Sequence, residues 1–290
     1  MEPDIKSIMR RVRNVYRARG LGGVVLAVIR KMGFEVLDNY SIDEVNICAK
    51  VLGIRNRPGV MIDVGAHIGS TARQFCEAGW RVYAFEPDPV NREQLVKNLG
   101  RLDGLTIDER ALSNEEIDSV TFYQSPQSTG ISGLSSFHES HVAAGTVPVT
   151  TLKNVIGEYD IGAIDFLKID TEGFDKFVLM GLPWETHSPT LIVCEFEDFK
   201  TRPLGYNVTD LIRYLENRGY EVLISEWKPI EAYGARHEWS DFKRSACKID
   251  LEKSWGNLIA SRDARIFQRV INECERIKRR LGKHNVQDGK

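Results

Sequence analysis

The residues best placed to do chemistry fall in a few short stretches. Asp63-Val-Gly65-Ala66-His67-Ile-Gly69 follows an apolar run at 59–63 and precedes a helical pattern at 70–78. Glycine at such a strand-to-helix turn lets the backbone bend sharply and approach a ligand with no Cβ in the way. The start of the next helix offers free N–H groups. Glu86 stands twenty-one residues after Gly65, where the next apolar run, 81–85, ends in Glu86-Pro87. An acid in that place can accept hydrogen bonds from both hydroxyls of a ribose. The turn and the acid together predict an adenosine-containing cofactor across the carboxyl ends of two adjacent strands.

The turn also discriminates among such cofactors. A dinucleotide calls for G-x-G-x-x-G, with backbone packed closely around two phosphates. Here the pattern is Gly65-x-x-x-Gly69, with Ala66 and His67 inside it. A phosphate-free cofactor with a ribose and an amino-acid tail suits this looser turn, which favours S-adenosylmethionine over NAD. No Gly-Lys-Ser/Thr follows a glycine turn, so a Walker loop is excluded.

Further along, Asp170 and Glu172 directly follow the apolar run 164–169. Asp170 is placed to touch a cofactor's ammonium or to act as a base. Glu172 can do base work or open the following helix, since acids at a helix start also cap it and offset its dipole. Lys168 can pair with either acid. Glu195 ends the next apolar run and is a substrate or base candidate, with Glu197 and Asp198 close behind. These are hard oxygen donors that suit Mg²⁺, but nothing in the sequence relates their positions, and no metal is assigned. His138 and His141 could supply a base near neutral pH, and Ser135 and Ser136 offer hydroxyls to a polar acceptor. Trp227 and Trp239 could form a stacking wall for a sugar.

Elements that position these residues show an alternating rhythm. Strands are expected at 59–63, 81–85, 105–112, 164–169, 191–195 and 221–225, with β-like stretches at 120–123 and 147–151. Helices are expected at 70–78, 91–99, 174–180 and 210–218, the last closed by Gly219 as C′ residue. Such alternation implies right-handed crossovers and a doubly wound sheet. The polar, Gly/Ser-rich stretch 125–140 is long enough to be a functional lid over the site. Before this body, Ile5, Ile8, Met9, Val12, Val15 and Tyr16 recur at helical spacing among arginines. After it, Ile259, Ile266, Phe267, Val270, Ile271, Cys274, Ile277 and Leu281 form one helical stripe. The chain thus reads as a helical N-terminal extension at 1–57, a cofactor-binding domain at 58–250 and a C-terminal amphipathic helix at 251–290.

Charge is distributed unevenly along the 290 residues. The formal net charge is −2, but residues 1–31 carry +6 and residues 262–290 carry +5, which leaves −13 between them. A main body that grips nucleic acid shows the reverse pattern, so no nucleic acid partner is expected. The basic ends allow self-association or peripheral contact with an anionic membrane. Five widely spaced cysteines with no C-x-x-C pair suit reduced thiols in the cytoplasm and make no zinc module. The apolar run 24–29 is too short to span a membrane or to serve as a secretory h-region.

Taken together, Asp63–Gly69, Phe85-Glu-Pro87, Ala111-Leu112-Ser113, Gly133-Leu-Ser-Ser136, the run 164–173 with its Leu-Lys-Ile-Asp-Thr-Glu-Gly, and Leu191-Ile-Val-Cys-Glu195 resemble the FkbM family of S-adenosylmethionine-dependent methyltransferases in order and spacing. The resemblance covers roughly residues 58–225. It implies an α/β fold, the Rossmann-like class I methyltransferase sheet, mostly parallel with its last strand antiparallel, here with helical N- and C-terminal additions. It implies S-adenosyl-L-methionine as cofactor and O-methylation of a hydroxyl on a sugar, a glycan or a small natural product. On this resemblance the cofactor-binding residues are Asp63, Gly65, Ala66, His67, Gly69, Glu86, Pro87, Leu112, Ser113 and Asp170. The catalytic candidates are Asp170, Glu172, Glu195 and His138. A nicotinamide-dependent oxidoreductase or epimerase is opposed by the missing third glycine and by the lack of any Tyr-x-x-x-Lys pair. A non-catalytic module keeping the cofactor fold is the remaining alternative.

Overall fold

The computed structural model describes residues 42–230, 237–244 and 255–282. The amphipathic pattern at 5–16 lies outside the described residues. Three parallel strands come first: β1 (Val60–Val64), β2 (Arg81–Phe85) and β3 (Leu105–Asp108). β4 (Ala111–Ser113), β5 (Ile117–Gln124) and β6 (Val142–Thr151) then form a separate three-stranded sheet in the order β4-β6-β5. β7 (Phe166–Ile169) and β8 (Leu191–Glu197) return to the main sheet in parallel, beside β1. β9 (Glu221–Trp227), β10 (Trp239–Arg244) and β11 (Trp255–Ser261) complete it. The main sheet runs β10-β9-β11-β8-β7-β1-β2-β3. β11 lies antiparallel between β8 and β9, so the last strand in the chain is the antiparallel one expected. β10, antiparallel on the far edge, was not expected.

The helices are α1 (Glu44–Leu52), α2 (Arg73–Glu77), α3 (Pro89–Leu99), α4 (Leu152–Glu158), α5 (Asp175–Met180), α6 (Asp198–Thr201), α7 (Val208–Glu216) and α8 (Ala264–Arg280). Local chemistry accounts for their starts. Asp88 caps α3, accepting from the Val90 N–H at 2.8 Å with Pro89 in the first turn. Asn207 and Asp210 form a capping box on α7. Asp263 caps α8, and α8 buries Phe267, Val270, Ile271, Cys274 and Ile277 along one stripe. Its apolar face is therefore spent on packing within the domain. β1 is buried along its whole length, as befits a central parallel strand covered on both faces.

α4 and α6 were not among the expected helices either, and two further stretches differ from the sequence expectation. The strand expected at 105–112 breaks after Asp108. There the Arg110 guanidinium bonds Asp108 and Glu158, each at 2.6 Å, and the Arg110 N–H donates to Asp108 Oδ1 at 2.9 Å. That tight turn sends β4 out of the main sheet. The stretch from 251 onward is also more than a helix, because Ile259 belongs to β11 and the helix starts only past Asp263. Gly256 has φ +150°, and a Cβ there would strike the Ser225 carbonyl, so only glycine lets β11 slot against β9. Among the described residues no helix is long and apolar enough to cross a membrane.

Because β2 lies on one side of β1 and β7 on the other, the chain reverses direction across the sheet at β1. Ligands of open α/β sheets bind in the crevice outside the carboxyl ends of the strands at such a switch point.

Candidate active site

At that crevice lies a cavity of about 240 Å³, walled by the turn after β1, the end of β2, the start of β4, the end of β7 and the loop 125–140. The turn is built by exclusion of side chains. Gly65 has φ +75°, and a Cβ on it would collide with the backbone carbonyl of Asp170. Gly69 has φ +83°, and a Cβ there would strike Leu95 and Leu99 of α3. Between them His67 is itself left-handed, with φ +51°, a region few non-glycine residues enter. This conformation aims the His67 N–H at Glu86, which accepts it at 2.7 Å.

Glu86 is 5% exposed and its other oxygen accepts the Asp88 N–H at 2.9 Å. Burial pushes its carboxyl up to about 7 against the pull of those two N–H donors. A carboxylate has about four lone-pair sites, so acceptor capacity remains for two hydroxyls. The His67 ring reaches the loop at Thr129 Oγ1, 3.0 Å away, and Asn91 Nδ2 donates to the Thr129 carbonyl at 3.0 Å. These contacts tie the loop to both the turn and α3, which places it on the cavity wall.

Under the turn sits a buried charge chain. Lys168 donates to the Gly65 carbonyl at 2.7 Å, and its Nζ lies 3.3 Å from Asp63 and 3.5 Å from Asp170. Burial alone would lower the lysine, but Asp63 and Asp170 more than offset it and hold it above its ordinary range. Burial raises Asp63, with Lys168 opposing. Asp63 is wholly buried and does not line the cavity, so its contribution passes through Lys168. Asp170 lines the cavity with its side chain 43% exposed.

A second charged group stands beside the first. Lys200 of α6 lies 2.6 Å from Glu172, 2.7 Å from Glu197 and 3.2 Å from Glu195. Burial pushes Glu172 up to about 7 and Glu195 well above the usual carboxylate range, with Lys200 opposing both. One oxygen each from Asp170, Glu172 and Glu195 lie within 4.8 Å of one another. Lys200 already supplies positive charge to two of the three. Asp175, buried and raised to about 6 by burial and by Asp170, accepts from the Thr171 hydroxyl at 2.9 Å and the Glu195 N–H at 2.8 Å. It thereby joins the ends of β7 and β8.

Of the residues expected at the site, Gly65, Ala66, His67, Glu86, Pro87, Leu112, Asp170 and Glu172 line the cavity. Gly69 packs on α3, and Ser113 is buried with its hydroxyl donating to Asn114 at 3.1 Å. Glu195 sits behind the wall. His138 does not line the cavity either, and its Nδ1 is 2.7 Å from Ser140 Oγ. His141 stacks on Tyr123 and meets the Ile131 carbonyl at 2.9 Å, shaping the loop. Trp239 is buried and donates to Ser225 at 3.1 Å, while Trp227 donates to Glu44 at 2.8 Å. Both serve packing away from the cavity, so no stacking wall forms there. Sequence reasoning missed Lys200, Asn91, Thr129 and Asp175. Lys200 had a signal in being a lysine three residues after Glu197 in an acidic stretch, but its burial appears only in three dimensions.

Comparison with known proteins bears on this arrangement. The family model described as "Methyltransferase FkbM domain" matches residues 63–222, more than half of the chain. Hexuronic acid methyltransferase AglP of Haloferax volcanii is 26% identical over 136 residues, 47% of this chain and 55% of that protein. The 31-O-demethyl-FK506 methyltransferase FkbM of Streptomyces tacrolimicus is 29% identical over 219 residues, 64% of this chain and 82% of that protein. The 2-O-methyltransferase NoeI of Sinorhizobium fredii is 24% identical over 166 residues, 51% of this chain and 68% of that protein. The chain thus spans about half the length of AglP and more of the other two. With its Rossmann-like sheet, its glycine turn and its strand-end acid, the chain belongs to the FkbM family of S-adenosylmethionine-dependent methyltransferases.

Proposed function

We propose that this enzyme methylates a hydroxyl oxygen of a sugar, a glycan or a small natural product. The observation that carries the reading is one continuous cavity with Glu86 and the Gly65 turn on its wall together with Asp170 and Glu172. The names of the three relatives, which specify a hexuronic acid, a 31-O position and a 2-O position, support an oxygen acceptor. The cofactor supplies an already activated methyl group on a sulfonium, so alignment of the acceptor is the main demand on the protein. Glu86 takes the two ribose hydroxyls, and the Gly65–Gly69 turn lets the backbone come close. Asp170, half-exposed on the wall, would hold the ammonium of the amino-acid tail. Glu172 would take the proton that the acceptor hydroxyl gives up on receiving the methyl group, whose bond to sulfur breaks with the electron pair left on sulfur. A base poised near neutral pH is suited to that transfer, which is typically worth about 10²–10⁴-fold in rate.

Calorimetry with S-adenosylmethionine and with NAD tests the cofactor half. Binding of the first and not the second is expected, and Glu86→Ala weakens it at least about tenfold, the loss of one hydrogen bond to a charged group. Tight NAD binding, or Glu86→Ala binding as the wild type does, would sink the ribose assignment. Cell extract incubated with the enzyme and a labelled methyl donor, read by mass spectrometry, tests the acceptor half. A product labelled on carbon or nitrogen instead of oxygen overturns it.

A further inference from the structure

Lys200 is 2% exposed, yet it carries an ammonium into an acidic corner where β7 and β8 end. An ammonium has three donors and no acceptor, and here it meets three carboxylates, Glu172, Glu195 and Glu197, at 2.6, 3.2 and 2.7 Å. Phe137 from the loop 125–140 lies over it, with the ring centroid 5.3 Å from Nζ. Of the three acids only Glu172 lines the cavity. The backbone there is strained in a telling way. Glu172 has φ +56°, a conformation that a side-chain-bearing residue keeps only where its surroundings over-determine it. Gly173 follows at φ +104°, and a Cβ on it would press to 3.3 Å from the Cβ of Lys200. The chain turns tightly over the lysine so that the Glu172 carboxylate meets the ammonium from the cavity side.

We propose that Lys200 is a positioning residue for methyl transfer: its ammonium holds the Glu172 carboxylate at the cavity wall and, against the opposing charge of Glu197, governs when that carboxylate is free to take a proton. The inference rests on the assignment of Glu172 as proton acceptor made above. The charged groups facing Glu172 are Asp170 from its own segment, Glu195 and Glu197 from β8, and Lys200 from α6. His141 and His237, from the loop and from the segment before β10, also feel Lys200. Burial, Asp170 and Glu197 push the Glu172 carboxyl up, and Lys200 alone among the leading influences pulls it down by charge. Removing the lysine and removing Glu197 must therefore act in opposite directions.

The test is a titration of the full chain with glutamate side chains ¹³C-labelled at the carboxyl, followed by NMR across neutral pH. Glu172→Gln assigns the resonance by deleting it. Lys200→Met raises the Glu172 midpoint by at least about one unit, the lower end of what an opposite charge at this range does. Glu197→Gln lowers it, and Lys200→Arg brings it most of the way back to the wild-type position. The rate of label incorporation into cell extract follows the same order, and Lys200→Met loses roughly tenfold on the acid side of its profile. Both variants shifting the midpoint the same way, or neither shifting it, overturns the proposal, since a merely structural role would lower stability without opposed shifts. If Lys200→Met does not fold, the downward shift in Glu197→Gln and the Lys200→Arg midpoint decide the matter. Shifts as stated in an enzyme that labels no oxygen acceptor would overturn the methyl-transfer reading and leave the Lys200–Glu172 coupling standing. Labelling with an unshifted profile in Lys200→Met would overturn the role of Lys200 alone.

Discussion

At Gly65 the chain has no room for a side chain, because the backbone of Asp170 occupies the place a Cβ would take. Two costs meet there. A left-handed conformation is unfavourable for alanine by about 1–2 kcal/mol, and forced overpacking adds about 1–3 kcal/mol. Gly65→Ala is therefore expected to lose roughly 2–5 kcal/mol in urea unfolding, and to bind S-adenosylmethionine less well because Asp170 must move. A loss below about 1 kcal/mol would mean that the turn relaxes freely. Gly65, Glu86, Asp170 and Glu172 were legible as residues of one cavity because their positions at strand ends bring them to its wall. His138 was not, since a histidine in a polar loop reads the same whether it faces the site or, as here, Ser140.

The elements that make the site are β1 and β7, and Lys168 fastens their carboxyl ends beyond the ladder. Its Nζ reaches the Gly65 carbonyl and the carboxylates of Asp63 and Asp170. Removing one member of a buried ion pair strands the other charge, which typically costs about 3–5 kcal/mol. Lys168→Met should lose that much, while adding Asp63→Asn should restore a large part of it, since the stranded charge is then gone. A double-mutant cycle by chemical denaturation measures this, and additive losses would show that the two side chains do not depend on each other. At this scale the apolar runs announced most strands. They did not announce the break between β3 and β4, because Asp108, Arg110 and Glu158 act through side-chain hydrogen bonds that periodicity does not register. Nor did they announce β10, whose six residues, Trp239–Arg244, have apolar side chains only at Trp239 and Phe242, three apart, so that no period-two alternation marks a strand.

Over the whole molecule, buried acids set the response to pH. Burial lifts Glu86 and Glu172 to about 7 and Asp175 to about 6, whereas an unfolded chain titrates them near 4. A group whose folded value is raised holds its proton longer in the native state, so the native state binds more protons in this window. Stability then falls as pH rises from about 4.5 to about 7. Arg110 beside Asp108 works the other way but over a lower range, below the ordinary aspartate value. Thermal melts of the ligand-free enzyme should give a lower Tm at pH about 7.5 than at about 5.5. A Tm that rises across that interval would show the buried acids to be ionised at little cost. Glu86 and Glu172 lie in the −13 middle of the chain and on the cavity wall, and an acidic cleft would raise the local concentration of a cationic sulfonium donor.

The sequence by itself determined the alternation of the main parallel strands with their helices, the glycine turn and the acid that ends β2. These depend on local rules: φ at a glycine, a carboxylate at a strand end, apolar runs with fixed periods. It also carried the family, because the motifs lie in the same order and at the same spacing. Only the tertiary structure decided which charges share a site. Lys200 and Glu172 are far apart along the chain and become partners because parallel β7 and β8 end side by side, in a place dry enough that each ammonium and carboxylate must find its counterion inside the protein.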